Sequence, residues 1–70
     1  MKYLIILEET GTGFSAYVPD LPGCVAAGET AEETEVIMRE VIEFHLEGMR
    51  ADGEQIPVPH SRAAFVEVAA

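Results

Sequence analysis

The sequence predicts an α+β domain with the element order βββαβ. Short apolar runs broken by glycine and proline occupy residues 3–27, and a helix-capping pattern at Thr30 opens a long amphipathic segment. Apolar alternation then returns over residues 63–69. A chain of 70 residues is close to the smallest that one core can hold without staples, so we predict a single domain over residues 1–70.

The charge of the chain is strongly negative, with 13 acidic residues, 4 basic residues and a formal net charge of −9. The basic residues are scattered, so they cannot neutralise a run of phosphates, and we predict no direct contact with nucleic acid. An acidic surface either attracts a basic partner or only keeps the protein soluble. No apolar run approaches the roughly 18 residues of a membrane span, and we predict a cytoplasmic protein without membrane contact.

The first strand is predicted over residues 3–8. Alternation separates two sets of side chains: Tyr3, Ile5 and Leu7 on one face, and Leu4, Ile6 and Glu8 on the other. Because both faces are mostly apolar, a central strand covered on both sides is expected. Gly11 and Gly13 are then free to take positive φ in a hairpin turn. A phosphate-binding glycine loop would need a helix directly after it, whereas residues 14–18 read as the second strand.

The stretch PDLPGC ends the second strand and starts the third. Pro19 and Pro22 lack the N–H donors that a strand ladder needs, and Gly23 allows the turn into a third strand over residues 24–27. Cys24 is the single cysteine of the chain. A nucleophilic cysteine needs a cationic neighbour to lower its pKa, and the neighbouring charges here are acidic. We therefore interpret Cys24 as a packing residue.

The helix is predicted over residues 31–50, with Gly53 just beyond its end. Thr30 and Glu33 form the capping box that starts it. Its apolar side chains cover an arc of roughly 200°, wider than packing on one sheet requires. The excess predicts a homodimer or higher assembly, with an interface formed by Leu4, Ile6, Met38, Ile42, His45 and Met49.

The fourth strand follows an extended connector, because Pro57 and Pro59 exclude a central strand over residues 56–60. A crossover through the helix would place residues 63–69 beside the first strand, in the order 3-2-1-4 of a partial ribonuclease-H-like sheet. Nucleases of that fold hold two metal ions with carboxylates on central strands, and the first strand has none before Glu8. We therefore predict no enzyme, metal or cofactor.

The two histidines admit a catalytic or metal-binding role and a purely structural one. Nothing in the sequence places a serine, cysteine or acidic partner beside His45, and His60 lies in the proline-rich connector. The structural interpretation is favoured for both.

Residues 14–47, FSAYVPDLPGCVAAGETAEETEVIMREVIEFHLE, resemble the N-terminal domain of HicB-type antitoxins, in the wider HicB-like, UPF0150-like group. The matching motifs are the aromatic–x–Ala–x–Val strand, the run from Asp20 to Cys24, and Gly28-Glu29-Thr30 before the acidic helix start. The flanking strands and the connector fit as well, so the resemblance covers nearly the whole chain.

The resemblance implies an antitoxin that binds and occludes a small basic HicA-type toxin, a protein that cleaves messenger RNA. A chain of net charge −9 suits such a cationic partner. The predicted partner-binding residues are Asp20, Leu21, Glu40, Glu43 and Glu47. The alternative is a stand-alone dimeric module with a structural or regulatory role. HicB antitoxins often add a C-terminal DNA-binding domain; this sequence stops at Ala70, so operator binding is not predicted.

Overall fold

The computed structural model describes residues 1–70 as a three-stranded antiparallel sheet with one helix on a single face. The strands are β1 (Ile6–Glu9), β2 (Phe14–Tyr17) and β3 (Val25–Gly28), in the spatial order β1-β2-β3, and α1 spans Ala31–Ala51. This confirms the predicted α+β class and the order βββα. β1 begins three residues later than predicted, although Tyr3 and Ile5 still pack against the core.

The β1–β2 turn is held by the side chain of Thr10, not by glycine conformation. The Thr10 hydroxyl accepts the Gly13 N–H at 3.0 Å, while the Thr10 N–H donates to the Gly13 carbonyl at 2.8 Å. The predicted hairpin turn is present, but Gly11 and Gly13 do not use the positive φ open to them; Gly23 and Gly53 are the glycines with positive φ. Gly13 is required for another reason: a Cβ there would collide with the Gly28 carbonyl.

Both ends of α1 lie within one residue of their predicted positions. The Thr30 hydroxyl accepts the Glu33 N–H at 3.0 Å, which is one half of the predicted capping box. At the other end, Glu54 N–H donates to the Met49 carbonyl at 2.9 Å, and Gly53 takes a φ of 72°. A glycine in the left-handed conformation, with a hydrogen bond back to the last turn, is a common way to end a helix.

Replacing Thr30 with alanine is expected to lower the free energy of unfolding by about 1 kcal/mol, because the Glu33 N–H loses its acceptor. Thermal and urea denaturation measure the change. Thr12→Ala is the matched control, since Thr12 is exposed in the hairpin and is expected to stay within about 0.5 kcal/mol. Equal losses in the two variants would contradict the capping role.

The core lies between α1 and the sheet. Helix α1 packs over β3 and β2 and leaves the edge strand β1 less covered. The buried hydrophobic residues of the core come from β2, from the segment after β2 and from the helix; they are Ala16, Val18, Leu21, Cys24, Met38 and Leu46. Gly23, with a φ of 90°, turns the chain so that Leu21 and Cys24 both point inward.

The predicted fourth strand is absent. Residues 62–70 have no regular secondary structure and are exposed, so the sheet follows the predicted order only as far as 3-2-1. Because no strand pairs with its outer side, β1 is an edge strand of the sheet. Because the one helix covers a single face of the sheet, the other face of β1 is open. The prediction of a central strand covered on both sides is therefore wrong. A strand needs a neighbour for its backbone hydrogen bonds, and residues 62–70 have none in the single chain.

Candidate functional site

The outward side of α1 carries the densest negative charge of the chain. Residues at helical spacing place five exposed glutamates on this side, which we call the acidic helix face: Glu32, Glu33, Glu40, Glu43 and Glu47. Two apolar side chains lie among them, since Val36 is 58% exposed and Phe44 is 79% exposed. The acidic helix face therefore combines charge with an aromatic side chain that no other part of the chain covers.

These glutamates are free to interact with a partner. The chain's one ion-pair contact joins His60 to Asp20, so no carboxylate of the acidic helix face is paired with a lysine or arginine. Complementary charge accelerates and orients association, and an exposed aromatic side chain supplies the apolar contact at which binding energy concentrates. The predicted contact residues Glu40, Glu43 and Glu47 all lie here and are exposed.

The other two predicted contact residues, Asp20 and Leu21, lie beneath the surface. Their exposed fractions are 4% and 1%, so neither side chain is available for a direct contact in this structure. Leu21 belongs to the core cluster. Asp20 instead binds the connector after the helix: its carboxylate accepts the His60 and Ser61 N–H groups, each at 2.9 Å, and the Ser61 hydroxyl at 2.6 Å. The motif residue Asp20 thus anchors residues 60–61.

These hydrogen bonds favour the charged carboxylate and lower the pKa of Asp20 from 3.8 to about 2, with the Ser61 side chain as the largest cause. A lowered pKa stabilises the folded chain above the unfolded value of 3.8, and this stabilisation is lost as the pH falls towards 2. We expect the melting temperature to fall more steeply between pH 4 and pH 2 in the unmodified chain than in Asp20→Asn. Parallel slopes in calorimetric scans would contradict the anchor.

The open face of the sheet carries a second, apolar surface. Ile6, Tyr17 and Val25 are directly opposite one another on the three strands, and Val25 is 65% exposed. Leu4 precedes this row on the same face by strand alternation. We call these four residues the open-face row. Sequence reasoning missed Tyr17 and Val25, because their shared face becomes visible only once the strand register is known.

The predicted dimer-interface residues divide between two sides of the sheet. Leu4 and Ile6 belong to the open-face row, whereas the remaining four lie on α1, on the other side: Met38, Ile42, His45 and Met49. They cannot form one continuous patch. Met38 is moreover fully buried in the core of its own chain.

Cys24 and the acidic residues form no reactive or metal-binding cluster. Cys24 is buried, and desolvation raises the pKa of its thiol, which opposes nucleophilic chemistry. No group of three or more histidine, cysteine or acidic side chains is arranged to hold a metal ion. Helix α1 also lacks the long apolar stretch needed to cross a membrane.

The chain is thus a small α+β domain of βββα order with an exposed acidic helix face. The family described as the HicB-like antitoxin of bacterial toxin-antitoxin systems matches residues 3–69. The chain belongs to the HicB-like antitoxin family, a family of non-enzymatic binding proteins. The resemblance inferred from the motif around Asp20–Cys24 is thereby confirmed.

Similar proteins come from bacteria and from a phage. The chain is 44% identical over 57 residues to an uncharacterised 14.9 kDa protein of Haemophilus phage HP1, covering 81% of the chain and 43% of that protein. It is 31% identical to Antitoxin HicB 2 of Photorhabdus laumondii, covering 100% of the chain and 51% of the antitoxin. The chain thus spans about half the length of these curated relatives.

Shorter relatives and a solved structure agree with this assignment. A UPF0150 protein of Synechocystis is 36% identical, with 80% of the chain and 72% of that protein covered. A solved chain from a HicA3 and HicB3 toxin-antitoxin complex superposes with a TM-score of 0.73 at 32% identity, covering 86% of the present chain and 70% of that one.

Proposed function

We propose that the chain is an antitoxin that binds a small basic HicA-type toxin and occludes its RNA-binding surface. The observation that carries the proposal is the acidic helix face, where exposed, unpaired glutamates lie beside exposed Phe44. Membership of the HicB-like family and the structural similarity to a chain from a toxin-antitoxin complex support it. Because such a toxin acts on messenger RNA, the proposal places the protein in the cytoplasm.

Binding would proceed in two physical steps. The net charge of −9 raises the local concentration of a cationic partner and orients its basic face towards α1. Phe44 and Val36 then lose water on contact and slow dissociation, since apolar contacts near the centre of an interface contribute most of the binding energy. A toxin covered in this way cannot reach RNA, so inhibition requires no chemistry by the antitoxin.

The test is co-expression with a HicA-type protein encoded beside the gene for this chain. Growth arrest by the HicA-type protein should be relieved, and the two chains should co-purify. A HicA-type protein that still arrests growth, and that does not co-purify with the folded chain, would overturn the proposal. The absence of such a neighbouring gene would favour the stand-alone module instead.

Self-association is a second part of the proposal. The open-face row and the exposed apolar side chains of residues 62–70 would be left in water in a lone chain, with Phe65 fully exposed. Apolar surface of this kind commonly marks a protein interface. Sedimentation at micromolar concentration should report a multiple of the 7.6 kDa chain mass. A monomer alone under those conditions would contradict it.

A further inference from the structure

A groove of about 680 Å³ lies between α1 and residues 1–5, the segment that leads into the edge strand β1. Its floor and one wall are apolar, formed by Ile5 from the sheet side and by Met38, Ile42 and Leu46 from the helix. The groove is left because α1 packs mainly over β3 and β2 and covers β1 less. Where this segment continues into β1, the strand pairs with β2 on one side and has no hydrogen-bonded neighbour on its outer edge.

The groove gathers most of the positive charge of an acidic protein. Lys2, Arg39 and Arg50 line it, and these are three of the chain's four basic residues. Two glutamates also lie along it: Glu35, and Glu43, which stands where the acidic helix face borders the groove. The charged side chains of the lining thus sum to +1 in a chain of net charge −9. An occupant that presents apolar side chains and a negative charge would match this lining.

Residues 62–69, which we call the tail, present apolar side chains and one carboxylate, that of Glu67; the one basic residue of the tail, Arg62, stands at its start. Apolar alternation over the tail is that of a strand, with Phe65 and Glu67 on one face and Val66 and Val68 on the other. Phe65 is fully exposed, Val66 is 82% exposed and Val68 is 74% exposed. Eight residues of extended chain span about 26 Å, enough to run along the whole edge of β1.

The alternation of side chains along residues 3–7 is compatible with that of the tail. On β1 and the segment before it, Tyr3, Ile5 and Leu7 face the helix and the core. A tail strand with Phe65 and Glu67 on that same side would put the phenyl ring against the apolar helix residues of the groove. The Glu67 carboxylate would then lie among the groove's basic residues. Val66 and Val68 would extend the open-face row beyond Ile6.

We propose that the tail of a second copy of this chain occupies the groove as a fourth strand on the β1 edge, so that two copies exchange tails. The inference rests on the proposed self-association and names the segment that produces it. The exchange pairs the open backbone groups of β1 and covers Phe65. Because the contact is repeated in both directions, it closes as a symmetric dimer.

The path of the chain before the tail favours binding of the tail in the groove of a second copy over binding in the groove of the same chain. The Asp20 carboxylate holds His60 and Ser61, and the Tyr3 hydroxyl donates to the Pro57 carbonyl, so the connector is fixed up to the point where the tail leaves. From there the tail extends away from the body. The radius of gyration is 13.9 Å, against about 11 Å for a compact chain of this length, and the longest dimension is 49 Å.

Disulfide trapping between two chains that carry cysteines at different positions tests the exchange. In a Cys24→Ala background, one chain carries Phe65→Cys and the other carries Ile42→Cys; the two are unfolded together, refolded and oxidised. We expect a disulfide-linked species of two chain masses that joins position 65 of one chain to position 42 of the other. Phe44→Cys paired with Phe65→Cys is the control and is expected to give little product, because Phe44 lies on the outward side of α1.

The outcomes separate the exchange from self-association itself. A dimer in sedimentation without the 65–42 disulfide would overturn the exchange and leave self-association standing. A variant with both cysteines in one chain gives a further check. If it forms only an intramolecular disulfide, at one chain mass, the tail occupies the groove of its own chain, and this result would also overturn the proposal. If sedimentation shows only a monomer, both the tail exchange and self-association are overturned.

A surface variant gives an independent readout without new cysteines. Phe65→Asp should shift the sedimentation mass from dimer to monomer, with an unchanged circular dichroism spectrum, because Phe65 is outside the core. The same variant should still bind a HicA-type toxin, whereas Phe44→Asp should lose that binding and remain dimeric. A Phe65→Asp chain that stays dimeric would contradict the exchange.

Discussion

Replacing Leu21 with alanine is expected to leave much of the chain unfolded at 37 °C. Leu21 is 1% exposed and belongs to the core cluster. Truncating such a leucine costs about 2–5 kcal/mol, because apolar contacts are lost and a cavity remains. A chain of 70 residues has a total stability of only about 4–10 kcal/mol, so this one change removes a large part of it.

Urea denaturation followed by circular dichroism measures the Leu21→Ala effect. Leu21→Met conserves side-chain volume and should cost less than about 1.5 kcal/mol. Val25→Ala removes an exposed side chain and should change stability by about 0.5 kcal/mol or less in a lone chain. A loss below about 1 kcal/mol for Leu21→Ala would mean that the motif loop is not part of the core.

Reversing the charge of Glu40, Glu43 and Glu47 to lysine is expected to weaken toxin binding by roughly 100-fold or more, because like charges across an interface cost several kcal/mol. The three side chains are exposed, and lysine is as good a helix former as glutamate, so α1 should remain intact. Calorimetric titration with a HicA-type toxin measures the loss, and circular dichroism checks the helix.

The matched control reverses Glu8, Glu9 and Glu54, three exposed glutamates that lie off the acidic helix face. Both triple variants have the same net charge, so they share any general electrostatic effect. The control should bind with an affinity within about tenfold of the unmodified chain, mainly through a slower association rate. Equal losses in the two variants would show that total charge, and not this face, governs binding.

The helix was the most predictable element, because its determinants are local. Thr30 at the cap, Gly53 past the end and apolar residues at helical spacing act within a few positions of sequence, and the observed bounds follow them. The two antiparallel strand pairs were also predictable from short apolar runs between turn residues. The family motif could be recognised for the same reason, since residues 14–30 determine these local features.

What could not be predicted depends on contacts between distant residues. The carboxylate of Asp20 meets Ser61 across 41 positions, so its role as an anchor was invisible and a surface role was assigned to it. The tail has the pattern of a strand but no partner in its own chain, and sequence alternation alone cannot supply the neighbour that makes a strand. The open-face row likewise required the register that joins Ile6, Tyr17 and Val25.

We propose that the chain binds a HicA-type toxin through the acidic helix face of α1. The most direct measurement is calorimetric titration of the unmodified, folded chain into that toxin at low and at high salt. We expect saturable binding at low salt that weakens steadily as salt rises, because screening removes the attraction between an acidic face and a cationic partner. Absence of binding at low salt, or an affinity that salt does not change, would contradict it.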